Sequence, residues 1–157
     1  MDFMEIKIRE ATFEDYHICK EIGLDNYTTY IKKKREWIAT YLFKSYFSEQ
    51  SFKRRSENNV EIYVATYKDE IVGFIELENK KTLSSIYVKK DYHNQGIGTI
   101  LLDKAEILCL RKDDDYIINL EASDYAVDFY LKRGYHKSGK TKKVLGVNMT
   151  PMTKKLK

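Results

Sequence analysis

Leu83-Ser84-Ser85-Ile86-Tyr87-Val88-Lys89-Lys90-Asp91-Tyr92-His93-Asn94-Gln95-Gly96-Ile97-Gly98-Thr99-Ile100-Leu101-Leu102 is the stretch on which the reading of this chain turns. Leu83, Ile86 and Val88 form an apolar, largely β-branched run that stops at a polar, turn-like segment from Lys89 to Asn94. Beyond Gly96 and Gly98, the residues Ile100, Leu101, Ala105 and Leu108 fall into helical spacing. A strand therefore feeds a helix through glycines. The first turn of a helix has backbone N–H groups without intrahelical partners at the positive end of its dipole, and an anion placed there satisfies both. Glycine at 96 and 98 keeps Cβ atoms out of the way of a phosphate, although a glycine pair alone is also what an ordinary tight turn uses.

Outward from this stretch, Ile6 and Ile8 alternate with charges as a first strand ending near Glu10, and Thr12 to Asp15 has the form of a capping box. A first helix through Tyr16, Cys19 and Ile22 is expected to stop at Gly23. From 27 to 57 there is neither glycine nor proline, so the segment reads as one long helix or two joined ones. Trp37, Ile38 and Leu42 read as core packing there, and Tyr27, Tyr30 and Tyr41 as an exposed surface. Val60, Ile62 and Val64, a turn at Lys68 to Glu70, and 71–77 read as an antiparallel hairpin; 116–122 is a fifth strand, parallel to that at 83–88 through the intervening helix. Asp113 to Asp115 reads as a solvated connection. Ser123 is placed to cap a helix carrying Ala126, Phe129 and Tyr130, Gly134 ends it, and 135–140 and 147–152 are extended.

The stretch at 83–102, together with Ala126-Val127-Asp128-Phe129-Tyr130-Leu131-Lys132-Arg133-Gly134-Tyr135, resembles the acetyl-CoA motifs of the GNAT superfamily of N-acetyltransferases. In that family the turn reads Arg or Gln, two residues, Gly, one residue, then Gly or Ala. Gly96 and Gly98 match, and His93 stands where Arg or Gln is usual. Tyr130 falls at the family's tyrosine four residues before a glycine, which often serves as general acid, and Ser123 falls where Asn is frequent. Ile8, Arg9, Ala11, Thr12 and Asp15 resemble the opening of many such chains, so the resemblance covers essentially the whole sequence.

The resemblance implies a mixed α/β (α+β) fold. Its central, mostly antiparallel sheet would have about six or seven strands with a parallel pair in the middle, flanked by about four helices. It implies transfer of an acetyl group from acetyl-CoA to a primary amine by direct attack in a ternary complex. The pantetheine arm would lie along the backbone of Ile86, Tyr87 and Val88, with the N–H near Val88 as donor to the thioester oxygen. Backbone N–H groups of Gln95, Gly96, Ile97, Gly98 and Thr99 would take the pyrophosphate, with His93, Asn94, Ser123, Tyr130 and Arg133 also on the cofactor side. Lys89, Lys90 and Lys132 are further candidate cations. Tyr130 would protonate the departing thiolate, since a thiol of pKa ~8.5 and a phenol of ~10 are close enough for transfer. An alkylamine must lose a proton before it attacks, and Glu76 and Glu121 are the candidate bases.

At 157 residues, 43% hydrophobic with one proline, the chain has the size and composition of a single folded domain, 1–157. Lys and Arg number 28 against 24 acids, a net +4 that favours an anionic ligand and is too small and dispersed to argue for nucleic acid. The basic runs at 32–35 and 154–157 read as solvated surface. Cys19 and Cys109 stand apart from each other and from any His at ligand spacing, so neither a metal nor a disulfide is indicated, and neither has the context of a thiolate nucleophile. No basic leader precedes an apolar stretch and no run approaches the ~18 apolar residues of a membrane span, so the chain reads as cytoplasmic.

Two other functions compete. A dinucleotide-binding oxidoreductase would need a third glycine and an earlier place in the chain for the turn. A catalytically degenerate acyl-CoA sensor or interaction module would keep the cradle without turnover, and His93 and Ser123 leave that alternative open. The acceptor, a small-molecule or peptide amine, is not specified by this pattern. The C-terminal strands offer a seam for a homodimer.

Overall fold

The computed structural model describes residues 5–31, 37–110, 116–144 and 146–157. The basic run at 32–35 and the acidic connection at 113–115 lie outside them. Eight strands form one sheet: β1 (Lys7–Glu10), β2 (Val60–Tyr67), β3 (Glu70–Glu78), β4 (Thr82–Val88), β5 (Ile117–Ser123), β6 (His136–Lys137), β7 (Lys142–Val144) and β8 (Val147–Lys155). The order across it is β1-β2-β3-β4-β5-β8-β6, with β7 also paired to β8. Only β4 and β5 run parallel; every other neighbouring pair is antiparallel.

Five helices accompany the sheet among the described residues: α1 (Tyr16–Asn26), α2 (Trp37–Tyr46), α3 (Glu49–Glu57), α4 (Ile97–Cys109) and α5 (Val127–Leu131). Alternation along the strands sends side chains to two separate cores. On one face Phe74, Val64 and Ile62 meet Cys19 and Ile22 of α1, Phe47, and Phe52 of α3. On the other, Ile75, Leu77, Leu83, Ile118 and Leu120 meet Leu101, Leu102, Ala105 and Leu108 of α4. The fold is thus the expected mixed α/β one with a parallel central pair, and it has one more strand than expected because the short, charged Lys142–Val144 segment turns back on β8.

The hairpin turns follow from local chemistry. Lys68 and Asp69 take positive φ, which suits the two-residue connection from β2 to β3, and Asn79 and Lys80 do the same in the three-residue connection from β3 to β4. Asp15 reaches back to the Thr12 backbone N–H at 2.7 Å and also holds Arg9 at 2.8 and 3.2 Å, tying α1 to β1.

Three sequence expectations are corrected here. Gly23 does not end α1, which continues to Asn26. Its missing side chain instead admits the Phe47 ring, since a Cβ there would lie 2.9 Å from that ring. Trp37, Ile38 and Leu42 are exposed, because α2 turns the stripe of Ala39, Phe43, Tyr46 and Phe47 inward and both stripes are apolar in sequence. Tyr27 is buried and stacks on Phe43 at 4.3 Å, whereas Tyr41 is exposed as expected. No helix among the described residues is long and apolar enough to cross a membrane.

Candidate active site

Pairing between β4 and β5 is confined to Thr82 with Asn119 and Leu83 with Leu120. Beyond those two pairs the strands part, and a cleft of about 770 Å³ opens between them, a size suited to a small-molecule ligand. The backbone of β4 faces this gap. The Lys89 N–H is bonded to Val72 on β3, and neighbouring strand residues point their backbone groups alternately, so Ile86 and Val88 turn theirs away from β3. The Val88 carbonyl accepts from Asn26 Nδ2 at 2.8 Å and pairs with His93 Nε2 at 2.7 Å. Because a carbonyl only accepts, that ring nitrogen carries the proton.

At one end of the cleft lies the start of α4. Gly96 is its N-cap in the left-handed region, φ +84°, with no side-chain cap bond and nothing within 4 Å of where a Cβ would sit. Gly96, Ile97, Gly98 and Thr99 line the cleft, and the first-turn N–H groups of a helix have no intrahelical partner, which is the setting a diphosphate needs. Gly98 is tight for another reason: a Cβ would meet the Phe129 ring at 3.2 Å, so this glycine lets α5 approach α4. Arg133 is fixed beside the same turn. Its guanidinium stacks on Phe129 at 3.7 Å, Nε donates to Thr99 Oγ1 at 2.8 Å, and Nη1 donates to the Phe129 carbonyl at 2.7 Å. Three of its five N–H donors remain for an anion.

The residues singled out in the sequence divide. Ile86, Tyr87, Val88, His93, Asn94, Gly96, Ile97, Gly98, Thr99, Ser123, Tyr130 and Arg133 all line the cleft, as does Glu121. Gln95 does not line it; its side chain donates to the Asp91 carbonyl at 3.3 Å. Ser123 makes no side-chain cap, because α5 starts later with Ala126 as its N-cap and only the Ser123 carbonyl is used, accepting from the Ala126 N–H. The His93 ring is committed to Val88 and to Tyr30, on which it stacks at 5.3 Å. Lys132 lines the cleft, while Lys89 and Lys90 are paired with Glu70 and Asp25.

The two candidate carboxylates have different surroundings. Glu76 is fully buried, outside the cleft lining, and both its oxygens are held at 2.9 Å by Arg55, with a third bond from the Tyr46 hydroxyl at 2.7 Å. Glu121 is exposed and faces the cleft. Among the described residues that line the cleft it is the one carboxylate.

Tyr130 is buried, reaches the cleft, and packs its ring edge-to-face against Phe129 and Tyr135. Burial, and then the nearby Tyr87 hydroxyl, push its phenol well above the ordinary tyrosine range, against a smaller opposing effect from Arg133. The hydroxyl is protonated at neutral pH. Burial, with Glu76 and Asp15 adding to it, pushes the Cys19 thiol up to about 12, so Cys19 is not a thiolate nucleophile at neutral pH.

Two residues around the buried Glu76 carry no signal in the sequence. Tyr46 and Arg55 become visible only when α2 and α3 dock over Glu76. Tyr30, expected from the sequence to be exposed, is half-buried and stacks between His93 and Tyr125, at 5.3 and 4.3 Å. The aromatic richness of 27–47 was the available hint, but it does not say which ring faces which way.

Known proteins supply an independent comparison. A family model described as acetyltransferase (GNAT) domain matches residues 29–156. A spermidine N(1)-acetyltransferase of Thermoplasma acidophilum is 28% identical over 143 residues, covering 84% of this chain and 89% of the relative. Among solved structures, a GCN5-related N-acetyltransferase from Rhodopseudomonas palustris superposes with a TM-score of 0.83 at 26% identity, covering 99% of this chain and 98% of the other. The PaiA N-acetyltransferase from Thermoplasma acidophilum, solved in complex with coenzyme A, has a TM-score of 0.75 at 24% identity, with 97% and 99% covered. With a parallel pair that opens over an uncapped helix start, and a family match spanning most of its length, the chain belongs to the GNAT acetyltransferase family.

Proposed function

We propose that this protein transfers an acetyl group from acetyl-CoA to a primary amine by direct attack within a ternary complex. The observation that carries the reading is the parting of β4 and β5 after Leu83 and Leu120, which leaves one continuous cleft between the open first turn of α4 and the Tyr130 hydroxyl. The N–H groups at 96–99 and the Arg133 guanidinium hold the diphosphate. The outward-turned backbone of Ile86 and Val88 aligns the pantetheine arm, and the Val88 N–H donates to the thioester oxygen as negative charge develops on it. Glu121 takes the proton that the acceptor ammonium must lose, directly or through water. The amine nitrogen bonds to the acetyl carbon, the carbon–sulfur bond breaks, Tyr130 delivers its proton to the leaving sulfur, and the second proton that the nitrogen sheds on becoming an amide returns the Tyr130 phenolate to a phenol, directly or through water.

Glu76 is too committed to Arg55 to serve as that base. The acceptor named for the Thermoplasma relative, spermidine, is itself a primary amine and is the natural comparator in any acceptor screen. The test is thiol release from acetyl-CoA across a panel of amines, with calorimetric titration of CoA alongside. Tyr130→Phe is expected to lower kcat by about 10²-fold or more with CoA affinity preserved, the usual scale of a lost general acid. Undiminished turnover in that variant sinks the acid role. CoA binding without turnover on any amine favours the non-catalytic sensor.

A further inference from the structure

The acceptor end of the cleft has a chemistry of its own. Side chains on the face carrying α1, α2 and α3 include Tyr87, which packs with that core, and Ser85, which sits opposite Glu76. On β5, Ile118, Leu120 and Ala122 belong to the α4 core, so Glu121 and Ser123 point to the opposite face. Met149 is directly across from Ser123, and Val147 and Val144 follow on the same face. An acceptor entering opposite α4 therefore passes between Ala39, Leu42 and Phe43 of α2 on one side and Val144, Val147 and Met149 on the other. Leu42 and Val144 are exposed, so the rim is apolar as well as the walls.

Charge is scarce there. Glu121 is the one carboxylate among the described lining residues, and the nearby charge of Glu76 is cancelled by Arg55 at 2.9 Å. The lining cations, Lys132 and Arg133, come from the end of α5. Three of the rings that line the cleft already have a stacking partner. Tyr30 lies between His93 and Tyr125, Tyr46 carries the Arg55 guanidinium at 3.8 Å, and Phe43 stacks on Tyr27. Ring edges are positive and do not attract a cation. A second ammonium group on the acceptor would meet Leu, Val and Met side chains at this end, with no carboxylate among the described lining residues besides Glu121.

Resting on the transferase reading above, we infer that the acceptor is a monoamine, its single primary amino group carried on an apolar and preferably aromatic body. Glu121 receives the ammonium, and Leu42, Phe43, Val144 and Met149 hold the body. A polyamine matches the carboxylate with one end and the apolar walls with nothing.

The experiment compares steady-state thiol release from acetyl-CoA with 2-phenylethylamine and with spermidine, in the unmodified protein and in Val144→Asp and Leu42→Asp. Both substituted positions are exposed at the rim, so the fold tolerates them, and calorimetric CoA titration of each variant checks that the cofactor site is intact. In the unmodified protein kcat/KM for 2-phenylethylamine is expected to exceed that for spermidine by at least about tenfold, the scale on which an apolar pocket discriminates. A new rim carboxylate shifts the ratio toward spermidine by about tenfold, with the CoA dissociation constant unchanged. Equal or better use of spermidine by the unmodified protein overturns this inference while leaving the transferase reading intact. CoA binding with no thiol release from either amine overturns both.

Discussion

Arg55 on α3 and Glu76 on β3 lie 21 positions apart in the chain, and their side chains meet in two parallel hydrogen bonds of 2.9 Å. The carboxylate is fully buried, and the guanidinium is nearly so, over the Tyr46 ring and bonded to the Tyr46 carbonyl and to Ser51. Two buried charges of this kind contribute little beyond what an apolar pair of similar volume would, yet removing one of them strands the other. Arg55→Met is therefore expected to cost about 3–5 kcal/mol in urea unfolding. The double change Arg55→Met with Glu76→Met should recover most of that loss, less about 1–3 kcal/mol for the Tyr46 hydroxyl left without its acceptor. A double variant no more stable than the single one would show that the pair is not coupled in this way. The same pair explains why Glu76 could not be read correctly from the sequence. A glutamate on a strand next to the cleft looks like a base until the arginine that holds it is known, and nothing local announces Arg55. Gly96 and Gly98 were legible because their spacing is a property of the turn itself.

At the scale of elements, β4 pairs with β3 from Thr82 to Val88, with a bulge at Ser84, but with β5 only at Thr82 and Leu83. The backbone groups of Ile86 and the Val88 N–H, which face the gap, thus have no strand partner, while the Val88 carbonyl takes the Asn26 and His93 side chains. A cofactor arm lying there converts exposed amides into bonded ones. If exchange proceeds only from the unliganded fraction, CoA at about 100 times its dissociation constant should slow hydrogen exchange at Ile86 and Val88 about 100-fold. Amides of Ile75 and Leu77, inside the β2-β3-β4 ladder, are bonded with or without CoA and should already exchange slowly in the free protein, where Ile86 and Val88 exchange fast. Unchanged exchange at Ile86 and Val88 with CoA bound would mean that the cofactor does not lie along β4. In this ladder β2 was legible from the alternation of Val60, Ile62 and Val64, and β3 from a nearly continuous apolar run between turns, as expected of a strand buried on both faces. The helices at 27–57 were not. The α2 sequence offers two apolar stripes, and only docking on Phe74 and Tyr87 decides that Phe43 and Phe47 go in while Trp37 and Ile38 stay out. Gly23 is ambiguous for a similar reason, since a helix stop and a close approach both call for glycine, and Phe47 is what settles it.

Across the whole molecule, the sheet is two blocks: β1 to β4 on one side, β5 to β8 on the other, joined at the sheet's centre by two residue pairs and by α4, which packs on both. A ligand in the gap touches both blocks, whereas an unfolded chain has no gap to bind it. CoA should therefore stabilise the fold by mass action, by about 2.7 kcal/mol at 100 times its dissociation constant. For a chain of 157 residues, 1 kcal/mol moves Tm by about 2–4 °C, so a rise of about 5–11 °C is expected in a thermal scan. Gly96→Asp separates the cradle from the fold. Aspartate tolerates the left-handed backbone better than most residues, and nothing lies within 4 Å of the added Cβ, so the variant should fold with only a modest drop in its own Tm. Its carboxylate, however, stands where the diphosphate must approach the first turn of α4, and like charges close together repel by more in that partly desolvated site than in water. The variant should show little or no rise in Tm with CoA at the concentration that shifts the parent protein. A full rise in Gly96→Asp would mean that the diphosphate is held elsewhere, and the assignment of the helix start as its anchor would fall with it.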